Sequence, residues 1–430
     1  MGACGRPHLP VPTRLQDRSS TAIRQALRIT ALRIHSPRLH CVDLLRGIVM
    51  ILMALDHTRD FFTRLRFSPE DLSHTTAPLF LTRFVTHFCA PAFFLLAGMG
   101  GYLSLAEGKS LRQVSTFFWT RGLWLVFLEW TVMAAGWTFI LPYWSSNVLC
   151  ALGFSMILMA LLVRLPLPWI GALGAAIIAA HNFFDGIKPP VFGKFAWLWI
   201  ILHGHGIFPV NSQGDTYFVL FPVFPWVGVM AVGYALGSLL RREHWTKIVC
   251  AIGAGITFAF VLLRVFHLYG NGPADLAWLS SSIGPWKIQS TLTLTIIAFF
   301  DTLKYPPSLQ FLLMTLGPTL IGLALLDKVN IERAWARILL VFGRVPLFFY
   351  VLHVYIIHIL AVLTAMAFHQ HYHWLLHGAS SLRFPPHQYG HDLPFIYAMW
   401  IAVVTMLYFP CKWFWNIKQD HRDCWWMRYL

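Results

Sequence analysis

The chain has 430 residues, of which 57% are hydrophobic, 16% aromatic and only 12% charged. A soluble globule of this size needs more polar side chains to cover its surface, so the composition excludes a water-soluble protein and indicates a hydrocarbon environment. The net charge of +15 is spread over the connections between apolar runs, which argues against nucleic acid as a partner.

The N-terminal segment, residues 1–38, is rich in arginine and lacks the apolar stretch of a cleavable signal peptide. Within it, residues 22–34 either form a basic amphipathic helix on the anionic inner surface or belong to a disordered tail. We expect a basic cytoplasmic segment over 1–38, a transmembrane domain over 39–415 and a cytoplasmic tail over 416–430.

Apolar runs long enough to cross a membrane as helices recur along the rest of the chain. They predict an all-α, polytopic transmembrane helix bundle of about ten helices, because the runs match a hydrocarbon core and lack the alternation of barrel strands. The predicted spans are 41–63, 78–105, 114–140, 147–163, 166–182, 217–240, 247–268, 290–326, 344–368 and 393–415.

The charges between these spans set the expected orientation. Lys or Arg occurs in each connection assigned to the cytoplasm, so the positive-inside rule places both termini there. Pro306 and Pro307 interrupt the eighth span, where we expect either a re-entrant turn or an outer loop. Residues 195–202 are too short to span and predict an interfacial helix.

Ionisable groups inside membrane helices are costly, so each one is a candidate for function. The first predicted helix holds the densest set, which comprises Asp43 and Arg46 at its inner end and Asp56, His57, Arg59 and Asp60 towards its outer end. Arg46 and His57 are about three helical turns apart and therefore lie on about one face.

The second predicted helix supplies a matching group. Arg83 and His87 are adjacent on one face at i and i+4, and Pro91 is expected to kink the helix and free a carbonyl. His87 and His57 should therefore reach one cavity in the outer half of the membrane.

A histidine can take a proton from a hydroxyl or amine that attacks an acyl carbonyl. Asp56 or Asp60 would hold the imidazole, and a neighbouring arginine would stabilise an oxyanion or bind phosphate. We rank His57 first and His87 second as the catalytic histidine. Spacing alone leaves open that each is a histidine merely hydrogen-bonded to the backbone.

Five further residues are weaker candidates for the same cavity. Glu129, in the third helix, would be protonated or paired with an arginine of the first two helices, in a functional or a purely structural role. Lys304 and Tyr305 would line the cavity from the interruption, and Tyr350 and His353 from the ninth helix. Bundle packing explains the last two equally well.

The outer loop over 369–391 contains six histidines, but their spacing matches no defined metal site. We interpret it as a polar interfacial loop and assign no metal.

The stretches RLHCVDLLRGIVMILMALDHTRDFF and FLTRFVTHFCAPAFFLLAG resemble the opening of a bacterial membrane family related to the lysosomal heparan-alpha-glucosaminide N-acetyltransferase. Residues 221–237, 304–318 and 343–362 are similar to the same family. The spacing of Arg46 and His57 also resembles the pattern of membrane acyltransferase family 3. In the lysosomal enzyme an asparagine matches His57, and the active histidine lies in the following luminal segment, which here contains His74. We rank His74 third, as an ordinary loop residue.

The resemblance implies transfer of an acyl group, expected to be acetyl, from cytosolic acyl-CoA to an amine or hydroxyl of an extracytoplasmic glycan. His57 or His87 would be general base or transient acyl carrier. The predicted substrate-binding residues are Arg46, Asp43, Arg59, Arg83, Glu129, Lys304, Tyr305, Tyr350 and His353. We predict a multi-pass protein of a bacterial inner membrane, with a homodimer allowed. The alternative is a secondary transporter of a small polar solute, because buried ionisable groups also line transport pathways.

Overall fold

The computed structural model describes residues 39–141, 143–212, 214–272, 286–376, 384–421, 424 and 427. The predicted segment 1–38, with its amphipathic helix, lies outside the described residues, as does His377 of the histidine-rich loop. The described residues are mostly helical, which confirms an all-α polytopic membrane protein.

The helices follow one another along the chain, and we number them in that order. They are α1 His40–Phe62, α2 Ala77–Thr86, α3 Cys89–Ala106, α4 Leu111–Leu128, α5 Ala134–Thr138, α6 Val148–Leu162, α7 Leu167–Ala180, α8 Ala196–Leu202, α9 Val223–Gly237, α10 Trp245–Val265, α11 Leu292–Phe300, α12 Leu309–Leu326, α13 Ala334–Arg344, α14 Pro346–Ala367, α15 His373–Leu376 and α16 Leu393–Asp420. A π-helical turn, Glu129–Met133, joins α4 to α5. Short 3₁₀ helices cover His181–Phe184, Pro189–Phe195 and Leu239–Arg241.

Seven helical segments among the described residues are long and apolar enough to cross a membrane. They are Ala77–Ala106, Leu167–Phe184, Val223–Arg241, Trp245–Val265, Leu309–Leu326, Pro346–Ala367 and Leu393–Asp420. Helices also occupy the other predicted spans. The total of ten crossings and the cytoplasmic termini remain predictions.

Helix α1 carries too many charges to face lipid, and it is surrounded by other helices instead. It packs against α3, α13, α14 and α16. The contact with α13 is especially close, since a Cβ atom added to Gly343 would lie 1.8 Å from the carbonyl oxygen of Asp43. The ionisable side chains of α1 are therefore held inside the bundle, where they can meet partners from other helices.

Two interruptions were predicted from proline, and both are present. Helix α2 ends at Thr86 and α3 begins at Cys89, so the regular helix is interrupted just before Pro91. The break between α11 and α12 is stabilised by the guanidinium of Arg264 in α10, which is 1% exposed. It donates to the carbonyl oxygens of Ala298, Phe299 and Asp301 at 2.6–2.8 Å. Arg264 therefore satisfies acceptors that the end of α11 leaves without intrahelical donors.

The sixth span was predicted to begin at residue 217, and this boundary is wrong. Thr216–Val219 is strand β3, which lies between β1 Ser145–Ser146 and β2 Gly206–Pro209, parallel to β1 and antiparallel to β2. The helix begins only at Val223, because Pro222 holds the chain extended before it. Helix α13, Ala334–Arg344, also occupies residues most of which were predicted to lie in the connection between the eighth and ninth spans. The segment predicted to be an interfacial helix is helical, as α8, and its interfacial position stays a prediction.

Candidate functional site

The C-terminal end of α1 and helix α2 are joined by a buried ion network centred on Asp56 and Arg83. Nη1 of Arg83 donates to both carboxylate oxygens of Asp56, at 3.0 and 2.8 Å. Arg59 approaches the same carboxylate at 3.0 Å and binds Asp60 at 2.6 Å. Arginines therefore bind both carboxylates, and the role of Asp56 or Asp60 in holding His57 stays a prediction.

Glu70, in the connection between α1 and α2, extends this network. It was not among the site residues predicted from the sequence. Its Oε1 accepts from Nε of Arg83 at 2.9 Å and lies 3.5 Å from Nε2 of His87. Ser68 donates a further hydrogen bond at 2.5 Å. Burial by itself raises the pKa of Glu70, but the charges of Arg83 and His87 and these hydrogen bonds outweigh it and lower the pKa to about 2.

His87 lies beneath Glu70 and is 1% exposed. Its ring meets Phe84 and Phe311 edge-on, at centroid distances of 6.4 and 5.4 Å. Asp56, Arg83 and Lys304 act electrostatically on both His87 and His57. The structure thus brings the two predicted histidines to one charged cluster, with His87 on its enclosed side.

His57 pairs with a second histidine. Its Nδ1 lies 2.6 Å from Nε2 of His353, and the two ring planes are inclined by only 20°, with a centroid distance of 4.9 Å. Trp137 meets the His57 ring edge-on at 4.7 Å, and Tyr350 does so at 6.4 Å. His57 keeps part of its surface exposed, whereas His353 is 0% exposed. We call His57 and His353 the histidine dyad.

Lys304 brings a positive charge to the cluster from the break between α11 and α12. Its Nζ lies 3.9 Å from Oδ2 of Asp56 and 5.1 Å from the ring centroid of Tyr305. The structure therefore places Lys304 and Tyr305 beside the network, and Tyr350 and His353 at the dyad.

A second charged group lies at the N-terminal end of α1, apart from the dyad, and we call it the inner cluster after the predicted orientation. Nη1 of Arg46 lies 3.4 Å from Oδ1 of Asp43 and donates to the carbonyl oxygen of Gly343 at 3.3 Å. Arg344 approaches the other oxygen of Asp43 at 3.5 Å and stacks over the ring of Trp415. Asp43 and Arg46 thus belong to this inner cluster rather than to the site around His57.

Glu129 binds α6 and acts electrostatically on Tyr350, whereas His74 lies in an exposed loop. The carboxylate of Glu129 accepts from Asn147 and from the backbone nitrogen of Leu149, each at 3.2 Å. It therefore binds the N-terminal turn of α6. Whether Glu129 is protonated or paired with an arginine of the first two helices stays a prediction. His74 is 62% exposed at its side chain and hydrogen-bonds Asp71 at 2.7 Å.

The histidines of the outer loop have separate partners. His387 contacts Arg66, and the ring of His391 stacks on Phe395. Across the residues that the structure describes, no three His, Cys, Asp or Glu side chains are grouped as metal ligands.

Two residues at the site, Glu70 and Trp137, were not predicted from the sequence, for different reasons. Glu70 lies in a polar loop, where an acidic residue is common and does not by itself indicate a site. The signal that could have identified it is Arg83 on the adjoining helix, because a buried arginine needs an acidic partner. Trp137 is one of 19 tryptophans, and its sequence context does not distinguish it from lipid-facing residues.

A family model described as heparan-alpha-glucosaminide N-acetyltransferase, catalytic, matches residues 38–267, just over half of the chain. No curated protein sequence matches the chain. The matched segment contains His57, Glu70, Arg83 and His87. Lys304 and His353 lie beyond it, so the cluster combines matched and unmatched parts of the chain.

Proposed function

Because the chain belongs to the heparan-alpha-glucosaminide N-acetyltransferase family, we propose that it is a membrane acetyltransferase that uses cytosolic acetyl-CoA. The acceptor is an amine or hydroxyl on the extracytoplasmic side, with a glycan as the first candidate, and the membrane is the inner membrane of a bacterium. The observation that supports this proposal is the histidine dyad beside the Asp56–Arg83 network.

The proposed reaction is a direct transfer with His57 as general base. The acceptor nitrogen or oxygen attacks the thioester carbon while His57 takes its proton. The carbon–sulfur bond then breaks, and the departing CoA sulfur takes that proton from the imidazolium, which regenerates the enzyme. Asp56 and Asp60 remain bound to arginines throughout and keep the surrounding charges fixed.

Positive charge near the reacting carbonyl supports the same assignment. Lys304 and Arg59 are held in place by carboxylates, so neither needs to reorganise as negative charge develops on the thioester oxygen. We propose that one or both stabilise this oxyanion.

The inner cluster carries positive charge that can bind the phosphate end of acetyl-CoA. Arg46 and Arg344 present guanidinium groups that can bind the phosphates of CoA, as the sequence predicted for Arg46. In this proposal α1 connects the phosphate site at its inner end to the acetyl group at its outer end.

Acetyl transfer by the purified protein in lipid nanodiscs tests the proposal. Labelled acetyl-CoA is supplied with a panel of amine and hydroxyl glycans, and His57→Gln is expected to lower kcat about 10²- to 10⁴-fold. His371→Gln is the matched control, because it removes an exposed histidine that has no predicted catalytic role. Undiminished transfer by the His57 variant would reject the assignment.

The same purified protein distinguishes direct transfer, with His57 as general base, from transfer through an acetylated His57. If His57 itself attacks the thioester, labelled acetyl groups will remain on the wild-type protein when acceptor is omitted and will be absent from His57→Gln. His87→Gln tests the second-ranked histidine, and loss of transfer in that variant alone would move the role to His87.

A transporter remains the rival, because the buried network around Asp56 also resembles the ionisable pathways of such proteins. Gradient-driven uptake of a polar solute by proteoliposomes, without cleavage of acetyl-CoA, would favour it.

A further inference from the structure

The dyad contains a directional hydrogen-bond chain that begins at the backbone of α14. Nδ1 of His353 lies 2.6 Å from the carbonyl oxygen of Tyr350 and 3.1 Å from that of Phe349. Carbonyl oxygens can only accept hydrogen bonds, so Nδ1 of His353 carries the hydrogen. Both carbonyls belong to the helix that carries His353, and this constraint is therefore built into α14.

The constraint passes from one ring to the other. A neutral imidazole has one donor and one acceptor, so Nε2 of His353 must be the acceptor. At 2.6 Å from it, Nδ1 of His57 then supplies the single hydrogen between the rings. The lone pair of His57 is left on Nε2. Because His353 is 0% exposed, bulk water does not compete for its nitrogens.

We infer that His353 is a positioning residue that fixes His57 in the tautomer whose Nε2 acts as the base. The role of His57 as a base rests on the proposed function, but its tautomer follows from the hydrogen bonds alone. When His57 takes a proton on Nε2, its Nδ1 keeps donating to His353, so the ring stays in place through the transfer.

Among the described residues, the other ring contacts of His57 are with aromatic side chains. Trp137 and Tyr350 contact His57 edge-on, and Phe349 stacks on His353 at 5.4 Å. The nearby carboxylates, Asp56 and Asp60, are engaged by arginines. The acceptor for Nδ1 of His57 is therefore His353.

Nitrogen NMR of the wild-type protein tests the tautomer directly. In protein labelled with ¹⁵N-histidine, the His57 signals are identified by their loss in His57→Gln. The expected result is a protonated Nδ1 and an unprotonated Nε2 on neutral His57. An unprotonated Nδ1 would overturn the inference, whether or not the protein transfers acetyl groups.

Two substitutions at His353 test its effect on the reaction. His353→Phe keeps a planar ring but removes the acceptor, and we expect kcat to fall about 10²-fold with KM unchanged. His353→Gln can present its side-chain oxygen to Nδ1 of His57, and we expect most of kcat to be retained. Equal kcat in the Phe variant and the wild type would overturn the positioning role.

The outcomes separate the inference from the proposed function. A wild-type protein that transfers no acetyl group to any acceptor contradicts the function, while the NMR result still decides the tautomer. Thermal unfolding of both His353 variants shows whether they are folded. If neither is, the wild-type tautomer alone supports or overturns the inference.

Discussion

Arg83 holds two carboxylates, those of Asp56 and Glu70, in an interior where an unpaired charge is costly. Replacing it by glutamine leaves both without their cation, and we expect the free energy of unfolding to fall by about 3–5 kcal/mol. Thermal unfolding in detergent can be followed through the reaction of a thiol probe with the buried thiols of Cys89 and Cys150.

Arg64 provides the matched control for that substitution. It forms an ion pair with Asp392 at 2.7 Å, but the two side chains are 59% and 60% exposed. Arg64→Gln should therefore change the free energy of unfolding by no more than about 1 kcal/mol. Equal losses from the two arginine variants would contradict a special role for the buried network.

Glu70 gives the network a predictable dependence on pH. Its pKa is lowered from 4.5 to about 2, so its contribution to stability is fully present above about pH 4.5. This contribution is lost as the pH falls from 4.5 towards 2, because protonation of Glu70 removes the negative charge that pairs with Arg83 in the folded state. The unfolding temperature of Glu70→Gln should fall less steeply over this range than that of the wild type.

The exposed glutamate of the inner connection, Glu107, is the control for the acid series. Glu107→Gln should follow the wild-type slope, since its side chain is exposed to solvent. A Glu70 variant with the full wild-type slope would show that other carboxylates govern acid stability.

At the scale of helices, close packing depends on glycine where α3 crosses α9. A Cβ atom added to Gly98 would lie 2.0 Å from the carbonyl oxygen of Met230, so the helices must separate to admit it. We expect Gly98→Ala to lower the free energy of unfolding by about 1–3 kcal/mol, as overpacking does.

Gly100 lies on the same helix and tests whether this effect is due to packing. A Cβ atom there meets nothing within 4 Å. Gly100→Ala should be neutral or slightly stabilising, because alanine favours the helix more than glycine does. Thermal unfolding of the two variants measures the difference, and similar destabilisation of both would contradict the packing argument.

The helices were predictable because apolar run length is a local property of the sequence. The strand Thr216–Val219 was not, because its apolar residues continue into the run that forms α9. For the site, the high cost of burying charge identified Arg83 and His57. It did not identify their partners, since Glu70 lies in a loop and His353 is 296 residues from His57 in sequence.

At the scale of the whole molecule, α1 links two charged clusters that the predicted orientation places towards opposite sides of the membrane. Arg46 and His57 are separated by about 16 Å along the helix, at 1.5 Å per residue. If the phosphates of CoA bind at the inner cluster, the pantetheine arm can cover such a distance towards the dyad. The proposed function therefore requires that the two ends of α1 face opposite compartments.

Labelling of introduced cysteines tests this requirement. Ser73 is exposed in the connection after α1, and Lys109 is exposed in the connection after α3. With the N-terminus in the cytoplasm, a membrane-impermeant maleimide should label Ser73→Cys in intact cells and Lys109→Cys only after the membrane is permeabilised. The wild type gives the background, because its free cysteines include the partly exposed Cys250 and Cys424. The reverse pattern would place the dyad end of α1 at the cytosol, and transfer to an extracytoplasmic acceptor would then be excluded.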